Sequence, residues 1–221
     1  MLHFYLAGIN NQNFLMRDRE SGSWWQQITG KAVYGPMKGA ALDLVLSDEL
    51  TFGEWKSETT DGEVLAPVAK DSKEYDSNWE PEVAKLPVVI SFPGTELKSR
   101  DVVVGLEINQ AARAYPWDAA VKQAPIEDQV NGVPVLMVVG RDGKSFRIFV
   151  RRVNGQDAEF FLKGDSPDWR LVDTATASEW NFQGCAIAGS ALGKCLNQLP
   201  ALKDYWFDWR NYHPDTTIYK R

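Results

Sequence analysis

The sequence has few of the residues that build metal centres and catalytic triads. Its 221 residues include two histidines and two cysteines, against nine tryptophans. Histidine is a frequent metal ligand and the usual base of a triad, so its scarcity disfavours both kinds of site. We therefore expect no metal site, no cofactor and no catalytic residue. Whether the chain is an enzyme stays open, with the balance against it.

Positive charge is also in short supply. Lys and Arg number 24, Asp and Glu number 30, and the formal net charge is -6. Gripping phosphate groups requires clustered Lys and Arg side chains, and an acidic chain repels polyanions. Nucleic acid is therefore not an expected partner.

Long apolar runs are missing as well. No uninterrupted stretch approaches the roughly 20 residues of a transmembrane helix, so no transmembrane segment is expected. The first nine residues lack the basic region, apolar core and cleavage site of a secretory signal, and read as a strand. Hydrophobic residues make up 44% and charged residues 24%. That composition is typical of a globular protein, here of one large domain or two small ones.

What the sequence does contain is an internal repeat. Seven of the 36 pairs that align residues 30–65 with residues 184–219 are identical, where chance would give about two. The pairs include Gly30 with Gly184, Gly35 with Gly189, Gly39 with Gly193, Leu42 with Leu196 and Trp55 with Trp209. Upstream, after a slip of one residue, the pairs are Asp18 with Asp173, Ser23 with Ser178 and Trp25 with Trp180.

Each copy predicts the same small module. The spaced glycines favour backbone with positive φ, a bulge or a close approach, and the stretches between them predict strands of a hairpin. A helical turn then carries the shared tryptophan, and a closing strand follows at residues 63–65 or 217–219. We interpret Trp55 and Trp209 as core residues of their modules.

The second copy is preceded by a longer block that predicts further hairpins and a short helix at residues 117–123. We therefore predict a mainly β fold with short helices (α+β), built from two related β-hairpin modules in one compact unit. The predicted boundaries are a short first module at residues 1–66, a charged linker or crossover at 67–100, and a fuller second module at 101–221.

Several motifs resemble a bacterial family, the domain of unknown function 3179. Residues 11–36 are similar to its Asp-Arg, Thr-Gly-Ser-x-Trp and Gly-x-Ala-x-x-Gly-Pro progression. Residues 103–109 and 112–116 resemble its Val-Gly-Val-Glu-Ile-Asn and Ala-Arg-Ala-Tyr-Pro segments, and residues 131–135 resemble its Gly-x-Pro-Val strand.

The chain departs from the family at one motif. Members typically carry Cys-Pro-Leu-Cys directly after the Gly-x-Pro-Val strand, whereas residues 139–144 here contain no cysteine. In the first copy the matching place would fall before Met1, as in a truncated chain or in one that has lost its redox centre. The resemblance would allow an extracytoplasmic location for a truncated chain; otherwise the location is open.

Polar and aromatic residues inside the family-like motifs are the candidates for ligand binding. They are Arg17, Asp18, Trp24, Gln27, Arg113 and Tyr115. If they line one cleft, they suit a small anionic or planar ligand, and otherwise the arginines pair with carboxylates to hold the hairpins. Cys185 and Cys195 are candidates for a structural disulfide or for two buried thiols.

The leading functional hypothesis is a non-catalytic binding or interaction module of the resembled family. The alternative is a thiol-redox protein, or part of one, whose Cys-Pro-x-Cys centre is absent from this chain. A weaker hypothesis is hydrolysis that uses Asp18. Because the first copy lacks the block found before the second, we also expect an unpaired sheet edge that favours a homodimer or a partner strand.

Overall fold

Short antiparallel strands form most of the regular structure, and they assemble with a few short helices into one compact unit, as predicted. A computed structural model describes residues 1–10, 12–94, 96–164 and 166–220. Asn11, which opens the first family-like stretch, and Arg221, which closes the predicted second module, lie outside them. Among the described residues, no helix is both long enough and apolar enough to cross a membrane.

The strands fall on both sides of a long, strand-poor segment. Before it lie β1 (Phe4–Asn10), β2 (Asn13–Asp18), β3 (Trp24–Gln26) and β4 (Ala32–Tyr34). After it come β5 (Val102–Ile108), β6 (Ala111–Pro116), β7 (Ile126–Val130), β8 (Val133–Val139), β9 (Phe146–Val150), β10 (Arg152–Val153) and β11 (Gln156–Asp157). The remaining strands are β12 (Phe160–Leu162), β13 (Leu171–Asp173), β14 (Glu179–Trp180), β15 (Ala186–Ala188), β16 (Asn197–Leu199), β17 (Ala201–Tyr205) and β18 (Thr217–Ile218).

The helices are short. They are α1 (Phe52–Glu58), α2 (Trp79–Val83), α3 (Trp117–Gln123) and α4 (Trp206–Tyr212), with a 3₁₀ helix at Ala69–Glu74. Helix α3 lies where the sequence predicted it. Residues 67–92 contain only the 3₁₀ helix and α2, and neither of these buries a residue.

The described strands form four four-stranded sheets and one two-stranded ribbon. Sheet I has the order β1-β2-β3-β4 and sheet IV the order β12-β13-β14-β15. Sheet II has the order β17-β5-β6-β18, in which β18 runs parallel to β6, and sheet III the order β16-β9-β8-β7. Strands β10 and β11 form a separate ribbon. Sheets I and IV are therefore the same antiparallel meander, formed by the two regions that the sequence predicted to be copies.

The core is arranged in layers. Sheets II and III enclose a cluster that includes Val104, Tyr115, Met137 and Ile148. The opposite face of sheet III, with Phe149, packs on sheet IV. The opposite face of sheet II packs on α4 through Trp206 and Trp209. Because side chains alternate along a strand, each of these two central sheets is apolar on both faces.

Three local expectations were wrong. Residues 63–65 form no strand, and the stretches between the second and third glycines of each copy are turns. Trp209 is a core residue, but its counterpart Trp55 is only half-buried, because α1 lies at the surface and buries none of its residues.

Candidate functional site

Asp18, a predicted site residue, is fully buried and saturated with hydrogen bonds. Its carboxylate accepts from the Trp25 indole Nε1 at 2.7 Å, the Ser21 hydroxyl at 2.8 Å and the Ser23 backbone N–H at 3.1 Å. Burial alone would raise the pKa of Asp18, but the hydrogen bonds from these residues lower it to about 2. The carboxylate is therefore ionised and fixed, and it ties the β2–β3 turn to the sheet.

The second copy repeats this network atom for atom. Asp173 accepts from the Trp180 Nε1 at 2.8 Å, the Thr176 hydroxyl at 2.7 Å and the Ser178 N–H at 3.1 Å. A Cβ on Gly189, where φ is +90°, would lie 2.7 Å from the Cα of Ser178. Glycine is thus required both by its conformation and by the close approach of the two backbones.

Arg17, Trp24 and Gln27 lie around sheet I without forming a cleft. Arg17 is exposed and donates from Nε to the Gly22 carbonyl at 3.0 Å. Trp24 is half-buried over Gly8, and Gln27 is exposed. The geometry gives Arg17 and Trp24 local roles in the β2–β3 hairpin.

Arg113 and Tyr115 lie on β6 and share one carboxylate. The Arg113 Nε lies 2.9 Å from an Asp128 oxygen, to which the Tyr115 hydroxyl donates at 3.1 Å. Burial first, and then the Asp128 charge, raise the pKa of Tyr115. The candidate residues therefore form two separate groups, one on sheet I and one between β6 and β7.

Sheet I and sheet IV differ in what covers them. Phe4 pairs with Asp18 across the strands of sheet I, and Phe160 pairs with Asp173 in the same way in sheet IV. The Phe4 ring packs edge-on against Trp25 and the Phe160 ring against Trp180, each at a centroid distance of 5.8 Å. Phe160 is 2% exposed, whereas Phe4 is 37% exposed. The reason is that sheet III packs on sheet IV, whereas Phe4 belongs to no core cluster among the described residues.

The outer strand of sheet I is open as well. Strand β1 is seven residues long, contains no charged residue and no proline, and is exposed or half-buried throughout. Among the described strands it pairs only with β2. Its counterpart β12 is three residues long. Natural edge strands are usually kept short, carry charges or contain a bulge. Strand β1 is long and uncharged, and a register shift between Leu6 and Gly8 is the interruption that its pairing with β2 shows.

Cys185 and Cys195 are joined in a disulfide that crosses the β15 hairpin. Both cysteines also form an antiparallel bridge, and in the first copy Lys31 and Ala41 form the same bridge. The described residues contain no free cysteine. They also hold no group of three or more His, Cys, Asp or Glu side chains placed to bind a metal ion.

A cluster that the sequence interpretation missed surrounds Arg147 on β9. The guanidinium contacts Asp48 through Nε and Nη2 at 3.1 and 2.8 Å, and Glu58 through Nη1 and Nη2 at 2.7 Å each. It also lies 4.9 Å above the Phe182 ring. The sequence signal for this cluster was Arg147 itself, an arginine inside an apolar strand. A charged side chain on a sheet that is buried on both faces must be paired with an opposite charge.

A cleft opens beside this cluster, between α1 and sheet III. Its volume is about 830 Å³, and its walls are formed by Asp48, Leu50, Phe52, Trp55, Glu58, Thr59, Glu63, Val64, Leu65, Arg147, Gln183 and Gln198. The segment before α1 is fixed to the β8–β9 turn, because Thr51 donates to Asp142 at 2.6 Å and to Ser145 at 2.9 Å. The first predicted module therefore supplies one wall of a cleft on the second.

A second missed cluster joins sheet I to α4. Asn13 of β2 donates to both carboxylate oxygens of Asp208. Burial and the Asp208 charge raise the pKa of the adjacent Asp204 to about 8. Asp204 and Asp208 share a hydrogen bond here, and the Tyr212 hydroxyl and the Gln26 side chain share another.

These features define a mainly β protein in which sheet III covers one meander, whereas the β1 strand of the other is exposed or half-buried throughout. A family model described as "Protein of unknown function (DUF3179)" matches residues 5–216. The chain therefore belongs to the DUF3179 family, as its motifs predicted. No curated protein and no solved structure matches the chain.

Family membership makes the β8–β9 turn informative. Residues 140–144 occupy the place where the resemblance predicted a cysteine motif, and they form a turn held by Asp142. Burial alone would raise the pKa of Asp142, but hydrogen bonds from Ser145 and Thr51 lower it to about 2. In this chain the turn anchors α1 instead of presenting a thiol.

Proposed function

We propose that the chain is a non-catalytic binding module that self-associates through strand β1. The observation that carries the proposal is the seven-residue, uncharged edge of sheet I, which no described strand covers. Unpaired N–H and C=O groups along such an edge are completed by another extended strand. A second copy supplies one, because a two-fold axis beside β1 places the same edge antiparallel to itself.

The apolar side chains of β1 also favour a second copy of the chain as the partner strand. Leu6 is 53% exposed on an edge that carries no charge, so pairing with a like strand removes apolar surface from water without desolvating a charge. The predicted site residues support the non-catalytic part, since Asp18, Arg113 and Tyr115 are each engaged in structural hydrogen bonds. The thiol-redox alternative relies on a Cys-Pro-x-Cys centre, and residues 139–144, where the resemblance places it, contain no cysteine.

Replacing Leu6 with lysine tests the proposal. We expect the unmodified chain to sediment as a dimer that dissociates on dilution, and Leu6→Lys to sediment as a monomer at every concentration. The reason is that pairing of two β1 strands would bring the introduced lysines of the two copies close together, and their like charges repel. Analytical ultracentrifugation measures the change, and circular dichroism checks that the variant folds.

The matched control is Leu162→Lys. Leu162 lies on β12 and pairs with Leu171 as Leu6 pairs with Met16, and its exposure is 48%. This variant should keep the dimer. A monomeric unmodified chain would overturn the proposal, and so would equal dissociation of both variants.

A further inference from the structure

The cleft between α1 and sheet III has the dimensions of a ligand site. Its volume of about 830 Å³ lies within the range of small-molecule pockets, roughly 300–1,000 Å³. Leu50, Val64 and Leu65 give it apolar wall surface, and Gln183 and Gln198 add amide groups. The cleft is separate from β1 and has no part in the self-association proposed above.

The charges on the walls favour a cation. Among the described residues that line the cleft, Asp48, Glu58 and Glu63 are acidic and Arg147 is the one cation. Asp48 and Glu58 both pair with Arg147, whose side chain is only 3% exposed. The Arg147 guanidinium is therefore not available to a ligand. Asp48 keeps 32% of its side-chain surface open, and Glu63 is exposed. A ligand therefore meets net negative charge.

Two aromatic rings stand beside these carboxylates. Phe52 and Trp55 lie one turn apart on α1 with centroids 5.6 Å apart, and Phe52 is 62% exposed. Neither ring belongs to a core cluster of the described residues. The Trp55 ring packs directly on Gly62, where an added Cβ would lie 2.2 Å from the ring. Exposed, positioned aromatic faces next to carboxylates attract cations by cation–π interaction.

We propose that this cleft binds an alkylammonium or guanidinium group carried on an apolar stem. The charged head lies against Asp48, Glu63 and the Trp55 face, and the stem lies along Val64 and Leu65. A free amine and the basic side chain of a peptide share this chemistry. The charge complementarity and the aromatic pair select this class over anions and over uncharged apolar ligands.

Calorimetric titration of the whole chain tests the site with three probes. Cadaverine represents a free amine, N-acetyl-lysine amide represents a peptide side chain, and N-acetyl-norleucine amide has the same type of stem without charge. Saturable binding of either charged probe, with none of the norleucine amide, supports the proposal. The tighter of the two charged probes identifies the source of the group.

Two variants locate the binding. Glu63→Gln should weaken the charged probe about fivefold, the effect of one partly screened charge, and Trp55→Leu should weaken it about threefold through loss of the cation–π contact. Neither residue holds Arg147, so the anchoring of α1 is kept. Glu159→Gln changes an exposed carboxylate outside the cleft and should leave the affinity unchanged.

Three results would overturn the proposal. They are the absence of saturable binding by both charged probes, equal binding of the norleucine amide, and an unchanged affinity in both Glu63→Gln and Trp55→Leu.

Discussion

Aspartates in this chain show how surroundings decide the behaviour of one side chain. Asp18 accepts hydrogen bonds from Trp25 and two serines, which stabilise its charged form. Asp204 is buried beside the Asp208 charge and shares a hydrogen bond with that carboxyl, so its neutral form is favoured. The pKa of the two groups therefore moves in opposite directions from the same starting value.

The Asp204 pair predicts a stability that falls as the pH rises. The pKa of Asp204 is about 8 in the folded chain and 3.8 in the unfolded chain. The stabilisation that this difference supplies is complete below pH 3.8 and is lost as the pH rises through 8. The pair consists of Asp204 and Asp208, and the Tyr212 hydroxyl and the Arg100 charge face it. Asp204→Asn should therefore reduce the loss of unfolding free energy between pH 5 and pH 9 by on the order of 4 kcal/mol.

Urea denaturation at several pH values measures this effect. Asp61→Asn, which changes an exposed carboxylate, should keep the slope of the unmodified chain. Parallel curves for Asp204→Asn and the unmodified chain would contradict the prediction.

Among the elements, the two glycine-spaced hairpins are nearly interchangeable. Both meanders carry the same hydrogen bonds and positive-φ glycines, and both close with an antiparallel bridge ten residues apart in sequence. Only the second hairpin is covalently closed. The backbone of the first hairpin should therefore accommodate a disulfide at the matching positions.

The double substitution Lys31→Cys with Ala41→Cys should form a disulfide on oxidation. Both positions are exposed, and they form the bridge that Cys185 and Cys195 form in the second copy. Closing a loop of this size should raise the free energy of unfolding by about 2–3 kcal/mol, because it restricts the unfolded chain. Thiol titration in denaturant, compared with Lys31→Cys alone, checks bond formation; two titrating thiols after oxidation would count against it.

Across the whole molecule, the two predicted modules interlock. The segment that contains Asp48 and Glu58 packs on sheet III through Arg147, while α4 of the second module contacts sheet I through Asp208. Each module thus buries polar groups that the other must satisfy. The pairings span 89 to 195 residues, so they close the fold as a unit.

Removing the Arg147 guanidinium should uncouple the modules. Arg147→Met leaves two partly buried carboxylates without a counter-charge, and breaking a buried ion pair costs about 3–5 kcal/mol. Chemical denaturation measures the loss, and limited proteolysis near residues 59–66 should accelerate as α1 detaches. The exposed pair of Arg152 and Asp157 provides the control, because Arg152→Met should cost less than about 1 kcal/mol. Equal losses in the two variants would refute the interlocking role.

The sequence alone determined the local parts of this protein. Alternating apolar residues and turn signals identified β5, β8, β9 and α3, and the motifs identified the family. Periodicity and turn chemistry are read from neighbours along the chain, so they are encoded locally.

The tertiary structure decided which of two equivalent residues is covered. Trp209 and Trp55 align in the repeat, as Leu196 and Leu42 do, yet one member of each pair is buried and the other is not. Likewise, no local pattern joins Arg147 to Asp48 and Glu58, or Asn13 to Asp208. Burial and charge pairing depend on which surfaces meet after the chain folds. Of the two meanders, sheet IV shares a core cluster with sheet III, whereas the described residues of sheet I share none with it.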